Sequence, residues 1–220
     1  GSEMCIRDSM CIKERLSKRE LERQIDSGYY ERYMLSQNPQ SLALETAKKA
    51  TGNIFLDNYV LDFLDVPEPM SEHDLQKSII RNLKDFILEI GKDFTFVGEE
   101  YRVQVGNHDF FIDLLFYHRG LSCLVAFELK IGEFKPEYVG QINLYLEALD
   151  REVKKENENP SVGIILCASK DDEVVEFALS RSLSPTMVAE YNLKLIDKKL
   201  LQKKLKEYIE LAKLTEDENA

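Results

Sequence analysis

The sequence contains only four cysteines, three histidines and six prolines among its 220 residues, and it has no tryptophan. The cysteines (Cys5, Cys11, Cys123 and Cys167) show no CxxC spacing and no cluster with histidine, so we expect neither a structural zinc site nor a disulfide framework. No apolar run approaches the roughly 18 residues of a transmembrane helix. The irregular leader, about ten residues long, has no signal-peptide pattern. We therefore expect a cytoplasmic protein without a membrane partner.

The net charge of −11 differs from that of proteins that hold nucleic acid mainly through a basic surface. It weighs against tight, non-specific binding of DNA, and less against catalysis on it, since a local basic strip can act within an acidic protein. The hydrophobic share of 44% and charged share of 31% are ordinary for a globular protein. They predict one substantial domain with a smaller appendage.

Helical spacing dominates the first part of the chain. A capping box begins at Ser17, Gly28 indicates a break, and a second short helix is expected over Ser41–Ala50. The two prolines of Val66–Pro69 indicate a linker, and the lysine-rich segment Lys198–Leu214 predicts a terminal amphipathic helix. We predict a partial helical N-terminal region over residues 1–66, a core over 67–197, and a C-terminal helix and tail over 198–220.

The predicted core alternates between helices and strands in the order α-β-β-β-α-β-α-β. Helices are expected to begin near Ser71, Pro136 and Asp172. Strands are expected over Phe94–Val105, Asp109–Tyr117, Leu121–Ile131, Ser161–Ala168 and Met187–Tyr191. This order predicts an α/β fold with a mixed central sheet and helices on both faces.

Two acidic residues interrupt apolar strands in this core. Asp113 is the one acid within an apolar stretch, and Glu128 follows Leu124-Val125-Ala126-Phe127. Because an unpaired buried carboxylate is costly and two neighbouring acids repel each other, each needs a cation. The cation could be a hard divalent ion, Mg²⁺ or Mn²⁺, or Lys130 or an arginine in a purely structural ion pair.

Lys130 lies two residues after Glu128, so both side chains point to one face of the strand. A lysine beside a metal ion can hold or help to deprotonate a water molecule and can stabilise charge on a phosphate. Gln141 is expected about one turn into the following helix, where an amide could orient the water. Alone, Gln141 is equally well explained as an exposed or capping amide.

The pattern Asp113, Glu128-x-Lys130 and Gln141 resembles that of the PD-(D/E)XK nuclease superfamily. The longer stretch Tyr101–Tyr145 resembles more narrowly the YhcG-type bacterial nucleases, and Arg19–Gly28 resembles the end of their helical N-terminal region. The likeness runs over about Leu16 to Tyr191. Ile112 stands where the superfamily's name has proline, a position whose character varies.

The resemblance implies a restriction-endonuclease-like core and assigns roles to individual residues. Asp113 and Glu128 would bind the metal ion, with the Leu129 backbone carbonyl as a further ligand. Lys130 would be the catalytic lysine and Gln141 its neighbour. Because the superfamily often adds an acid from the first core helix, Glu72 is a candidate, with Glu99 or Glu100 as alternatives.

Basic residues near the motif strands are candidates for contacts with nucleic acid. These are Lys135 and Arg119, which are equally well explained as solvated loop charges, and His118, which follows the strand of Asp113 and is better explained as a residue without a phosphate contact. Lysines within 198–206 could also contact a phosphate backbone, although their alternation with leucines favours an amphipathic surface helix.

The leading hypothesis is a Mg²⁺- or Mn²⁺-dependent endonuclease that hydrolyses phosphodiester bonds in nucleic acid, DNA above all, with water activated by the metal ion. One alternative is a nuclease fold that binds nucleic acid or recruits a protein in a restriction, repair or mobile-element system, without turnover of its own. Another is a structural ion-pair network in an unrelated α/β protein. A homodimer would supply the two sites needed to cut both strands. The residues do not specify the substrate's structure or sequence.

Overall fold

The computed structural model describes residues 16–36, 54–91, 93–182, 184–197, 199–207 and 209. The chain forms two compact units, one comprising Gly1–Asn38 with Lys194–Ala220 and the other Pro39–Leu193. The helix expected over Ser41–Ala50 lies outside the described residues, as do Cys5, Cys11 and the last part of the helix expected over Lys198–Leu214. No described helix is long and apolar enough to cross a membrane.

The smaller unit contains helix α1 (Lys18–Asp26) and helix α2 (Tyr29–Ser36), and residues 199–207 are also helical. The predicted capping box is confirmed, since the Ser17 hydroxyl accepts a hydrogen bond from the Glu20 amide and the Glu20 carboxylate accepts one from the Ser17 amide. Gly28 separates α1 from α2 with a φ of 62°, a conformation that glycine adopts without steric cost.

The larger unit is built around a mixed sheet. Its described strands are β1 (Asn58–Val60), β2 (Phe94–Val105), β3 (His108–His118), β4 (Cys123–Leu129), β5 (Val162–Cys167) and β6 (Thr186–Asn192). They lie in the order β1-β6-β5-β4-β3-β2. β2, β3 and β4 pair antiparallel, whereas β4, β5, β6 and β1 pair parallel.

In the described part of this unit, the helices on the sheet are α3 (Glu72–Arg81), α4 (Leu83–Ile90), α5 (Glu137–Glu152) and α6 (Asp172–Leu179). On one face, α5 and α6 pack against the strands through apolar residues such as Ile142, Leu146 and Val175. On the other, Phe86 of α4 packs against Phe116 and Phe127. The predicted mixed sheet with helices on both faces is therefore confirmed.

The structure departs from the sequence analysis at two elements. The one helix expected to begin near Ser71 is two helices, because Asn82 leaves the helical region at φ −112° and ψ 29°. The stretch before the proline linker contributes β1, which pairs in parallel with β6. Residues 58–60 are therefore part of the sheet and not of the helical region expected over 1–66.

Candidate active site

The candidate site lies where β3 and β4 separate, at the carboxyl end of β4. The backbone pairing between these strands ends at Leu114 with Phe127. At the next residue of β3, Asp113, a side-chain hydrogen bond takes the place of backbone pairing with β4. Asp113 Oδ2 accepts a hydrogen bond of 2.7 Å from the Leu129 amide. Gln76 of α3 donates to the Asp113 carbonyl at 2.8 Å. Asp113 is thus held by contacts from β4 and from α3.

Glu128 lies beside Asp113 in β4, a strand whose seven residues are all buried. Its side chain is only 2% exposed. Oε1 lies 2.9 Å from Lys130 Nζ, whereas Oε2 is buried and has no hydrogen-bond partner among the described residues. One carboxylate oxygen therefore stands without the partner that its burial demands.

Lys130 directly follows β4 and contacts more than one element. Besides Glu128, its ammonium lies 3.4 Å from Glu72 Oε2 at the start of α3 and 5.0 Å from the centre of the Tyr138 ring on α5. The acid and the lysine of the motif share a face, as the spacing predicts. The first core helix brings Glu72 to this lysine.

Burial raises the pKa of Glu128 to about 7, helped by the charge of Asp113 and opposed by the hydrogen bond from Lys130. Burial also raises the pKa of Asp113, against the hydrogen bond from the Leu129 amide. For Lys130, burial acts to lower the pKa, but the hydrogen bond and charges of Glu128, Glu72 and Asp113 together raise it above its ordinary value. Both acids therefore hold protons more readily than usual, while the lysine remains charged.

Glu100 is a further acid close to Asp113. The register of β2 and β3 places it opposite Asp113, between the paired residues Glu99–Leu114 and Tyr101–Ile112, and its charge contributes to the raised pKa of Asp113. Its φ of 44° is unusual for a residue other than glycine. Glu99 is exposed and forms no ion pair or hydrogen bond with Asp113 or Glu128 in the described part of the chain. The structure thus brings Glu72 and Glu100 towards the acids, but not Glu99.

Gln141 reaches the site through Tyr145 rather than through Lys130. Its Nε2 donates a hydrogen bond of 2.7 Å to the Tyr145 hydroxyl, one turn along α5. Burial raises the pKa of Tyr145, and the charges of Glu128 and Asp113 raise it further. Tyr138 lies three residues before Gln141 and Tyr145 four residues after it, so helical spacing alone was a usable signal that these side chains share a face.

The three basic candidates occupy different places. Lys135 is exposed in the loop before α5, and its carbonyl accepts a hydrogen bond from the amide of Tyr138. Because the Tyr138 ring also contacts the Lys130 ammonium, Lys135 lies on the same side of the site as Lys130. His118 lies at the other end of β3, five residues or about 17 Å from Asp113. It is 3% exposed, its ring packs on Phe94, and its Nδ1 accepts the Leu121 amide. The placement does not support a phosphate contact by His118 or by the adjacent Arg119.

The residues present fit a divalent metal ion. Within the described ranges, no group of three or more histidine, cysteine, aspartate or glutamate side chains is arranged as a complete metal cage. Mg²⁺, however, commonly uses one or two carboxylates and completes its shell with water and substrate phosphate oxygens. The unpartnered Oε2 of Glu128 beside Asp113 supplies such a donor set.

Comparison with known proteins gives the same family. Residues 52–206 match the model of the YhcG PDDEXK nuclease domain. The Escherichia coli (strain K12) protein named "Putative nuclease YhcG" is 37% identical over 193 residues, which are 86% of this chain and 52% of that protein. The chain thus spans about half the length of this curated relative.

Two solved structures also show similarity at 19% identity. One is a repair endonuclease from Pyrococcus abyssi, with a TM-score of 0.38 over 57% of this chain and 48% of that one. The other is EndoMS in a complex with double-stranded DNA, with a TM-score of 0.37 over 55% of this chain and 43% of that one. From the domain match and the E. coli relative, the chain belongs to the YhcG PDDEXK nuclease domain family.

Proposed function

We propose that this chain is a divalent-metal-dependent endonuclease that hydrolyses phosphodiester bonds in DNA. The observation that carries the proposal is the buried, unpartnered Oε2 of Glu128 beside Asp113, with Lys130 on the other oxygen of the same carboxylate. A structural ion pair would leave no carboxylate oxygen without a partner at this depth. A cation that binds both acids removes this cost and the repulsion between them.

Asp113 and Glu128 would hold Mg²⁺ or Mn²⁺, with the Leu129 carbonyl as a further oxygen donor and Glu72 as a supplementary acid. When bound, the ion would lower the pKa of a water molecule and stabilise negative charge on the phosphate. The Leu129 amide already orients the Asp113 carboxylate, and Gln76 holds the Asp113 backbone carbonyl, so the carboxylate needs little rearrangement to act as a ligand.

Lys130 would act as a charged group rather than as a base. Its ammonium is held by Glu128 and Glu72, and its raised pKa keeps the proton on Nζ near neutral pH. It can therefore position the attacking water as a hydrogen-bond donor and stabilise charge that develops on the phosphate. The Gln141–Tyr145 pair would orient polar groups on the α5 side of the site, and Lys135 would contact a flanking phosphate.

The test separates turnover from binding alone. Supercoiled, linear, single-stranded and forked DNA, with RNA beside them, are incubated with the purified chain and Mg²⁺ or Mn²⁺, and then with a chelator. Lys130→Ala is compared with Lys84→Ala, a matched change of an exposed lysine on α4. We expect metal-dependent cleavage of DNA that falls about 100-fold or more in Lys130→Ala and is unchanged in Lys84→Ala.

Two results would contradict the proposal. If Lys130→Ala cleaved DNA at the rate of the unchanged chain, Lys130 would have no role in the reaction. Retained binding of DNA with no metal-dependent turnover on any substrate would favour a recruiting module instead. Sedimentation velocity on the same samples reports whether two copies of the chain assemble, as cutting both strands at once would require.

A further inference from the structure

An exposed aromatic ring lies beside the candidate site on the β2–β3 hairpin. One face of this hairpin packs into the core through residues such as Val103 and Ile112. The other face is exposed and carries Arg102, Gln104, Asp109 and Phe111. Phe111 is 52% exposed, so its ring takes no part in the core that the opposite face of the same strands builds.

The position of Phe111 connects it to the proposed chemistry. It precedes Asp113 by two residues on β3, which separates their Cα atoms by about 7 Å. At about 3.4 Å per nucleotide along one strand of duplex DNA, that span covers about two nucleotides. A base within about two nucleotides of a phosphate held at Asp113 is therefore within reach of the ring.

The neighbours of Phe111 are polar and already bonded to one another. Arg102 lies opposite Phe111 in the ladder, and its guanidinium lies 2.8 Å from Asp109 Oδ1 and 3.4 Å from Gln104 Oε1. The arginine is thereby held in place and its charge is balanced by Asp109. The exposed face thus offers an aromatic ring in a fixed polar frame, without an excess of positive charge.

We propose that Phe111 is a stacking platform for an unpaired base of the substrate strand, so that the preferred substrate is DNA that is single-stranded or splayed beside the scissile phosphate. This inference rests on the proposed nuclease function. Stacking of bases on aromatic side chains strengthens binding without regard to sequence and without positive charge, which suits a chain of net charge −11. In an intact duplex the bases already stack on each other and leave no free face for the ring.

Binding is measured in a chelator, so that cleavage does not interfere, with oligonucleotides that carry 2-aminopurine in an unpaired stretch or in a duplex. Phe111→Ala is expected to bind the unpaired strand about 5- to 150-fold more weakly and to lose the quenching that stacking causes. Phe111→Tyr keeps the ring and is expected to bind within twofold of the unchanged chain. Phe111→Leu keeps an apolar side chain without a π face and is expected to behave like the alanine variant.

Two controls sharpen the comparison. Phe177→Ala removes another exposed phenylalanine, on α6, and is expected to leave both binding and quenching unchanged. The slope of log affinity against log salt is expected to be the same in Phe111→Ala as in the unchanged chain, because the ring neutralises no phosphate.

Several results would overturn the inference. Phe111→Ala could bind unpaired DNA within twofold of the unchanged chain, or lose as much affinity for duplex as for unpaired DNA. Self-association of the unchanged chain, seen as a mass that rises with concentration, could also depend on Phe111. If Phe111→Ala abolished it and left DNA binding unaltered, the exposed face would bind a second copy of the chain and not a base.

The same samples distinguish failure of the inference from failure of the nuclease proposal. Stacking that depends on Phe111, with no cleavage under Mg²⁺ or Mn²⁺, would refute the nuclease and leave the platform standing. Metal-dependent cleavage of paired and unpaired DNA at equal rates, with Phe111→Ala no different, would refute the platform and leave the nuclease standing.

Discussion

Replacing Glu128 by glutamine should stabilise the metal-free protein at alkaline pH. The Glu128 side chain is buried beside Asp113, and its Oε2 has no hydrogen-bond partner in the described structure. Glutamine has nearly the same shape and carries no charge. The carbonyl oxygen of the glutamine can still accept a hydrogen bond from Lys130. The Lys130 ammonium also retains an anionic partner, Glu72, whose Oε2 lies 3.4 Å away. The substitution therefore removes an unfavourable buried charge without removing the contact.

The raised pKa of Glu128 sets the size and sign of the effect. A value of about 7, against an ordinary 4.5, corresponds to about 3 kcal/mol of unfavourable free energy once the group is ionised. The folded chain binds the proton more tightly than the unfolded chain, so stability falls as the pH rises from about 4.5 to about 7 and then levels off. Glu128→Gln should be more stable by about 1 to 3 kcal/mol near pH 8.5 and close to the unchanged chain near pH 4.5.

Urea unfolding followed by circular dichroism, in a chelator and across this pH range, measures the difference. Glu147→Gln is the matched control, since Glu147 is an exposed partner of Arg151 on α5, and its effect should stay within about 0.5 kcal/mol. Millimolar Mn²⁺ should stabilise the unchanged chain at alkaline pH and have little effect on Glu128→Gln. If Glu128→Gln is the less stable protein near pH 8.5, the argument from a buried, unpartnered carboxylate is refuted.

Two further pairs of substitutions test the packing of α5 on the sheet and the hydrogen bond between Asp113 and Leu129. Gly163→Ala on β5 would place a Cβ 2.6 Å from Cγ1 of Ile142 on α5 and should destabilise the fold by about 1 to 3 kcal/mol. Gly140 also lies on α5 but faces open space, so Gly140→Ala should stabilise the fold by about 0.5 to 1 kcal/mol. Thermal unfolding that ranks the two variants the other way would contradict the packing of α5 on β5. Asp113→Ala leaves the buried Leu129 amide without an acceptor and should be about 1 to 3 kcal/mol less stable than Asp113→Asn in denaturant unfolding. Equal stability of the two Asp113 variants would show that this hydrogen bond does not support the ladder.

The acids and the lysine of the site could be predicted because each conflicts with its surroundings. Asp113 and Glu128 stand in strands that are otherwise apolar, and a two-residue spacing puts Lys130 on the face of Glu128. These signals depend on local spacing and burial, which the sequence shows directly. Glu72 could be proposed only through the resemblance, because the superfamily often adds an acid from its first core helix, and the structure places this residue against Lys130.

Other features depend on contacts that local patterns do not show. β1 is three residues long and has no period of its own, so only its pairing with β6 identifies it as a strand. The break at Asn82 lacks the proline or glycine that usually indicates one. His118 follows a strand and precedes a turn, as surface residues do, but its ring is buried against Phe94. The choice between Glu99 and Glu100 depends on a backbone conformation, a φ of 44° at Glu100.

The central claim is that Asp113 and Glu128 hold the divalent ion with which this domain hydrolyses DNA. The most direct measurement is the single-turnover rate of cleavage of end-labelled DNA as Mg²⁺ is titrated, for the unchanged chain and for Glu128→Gln. The account predicts a rate that rises to saturation with Mg²⁺, vanishes in a chelator and is at least about 100-fold lower in Glu128→Gln at every Mg²⁺ concentration. Cleavage that persists in the chelator, or that Glu128→Gln carries out at the full rate, would contradict it.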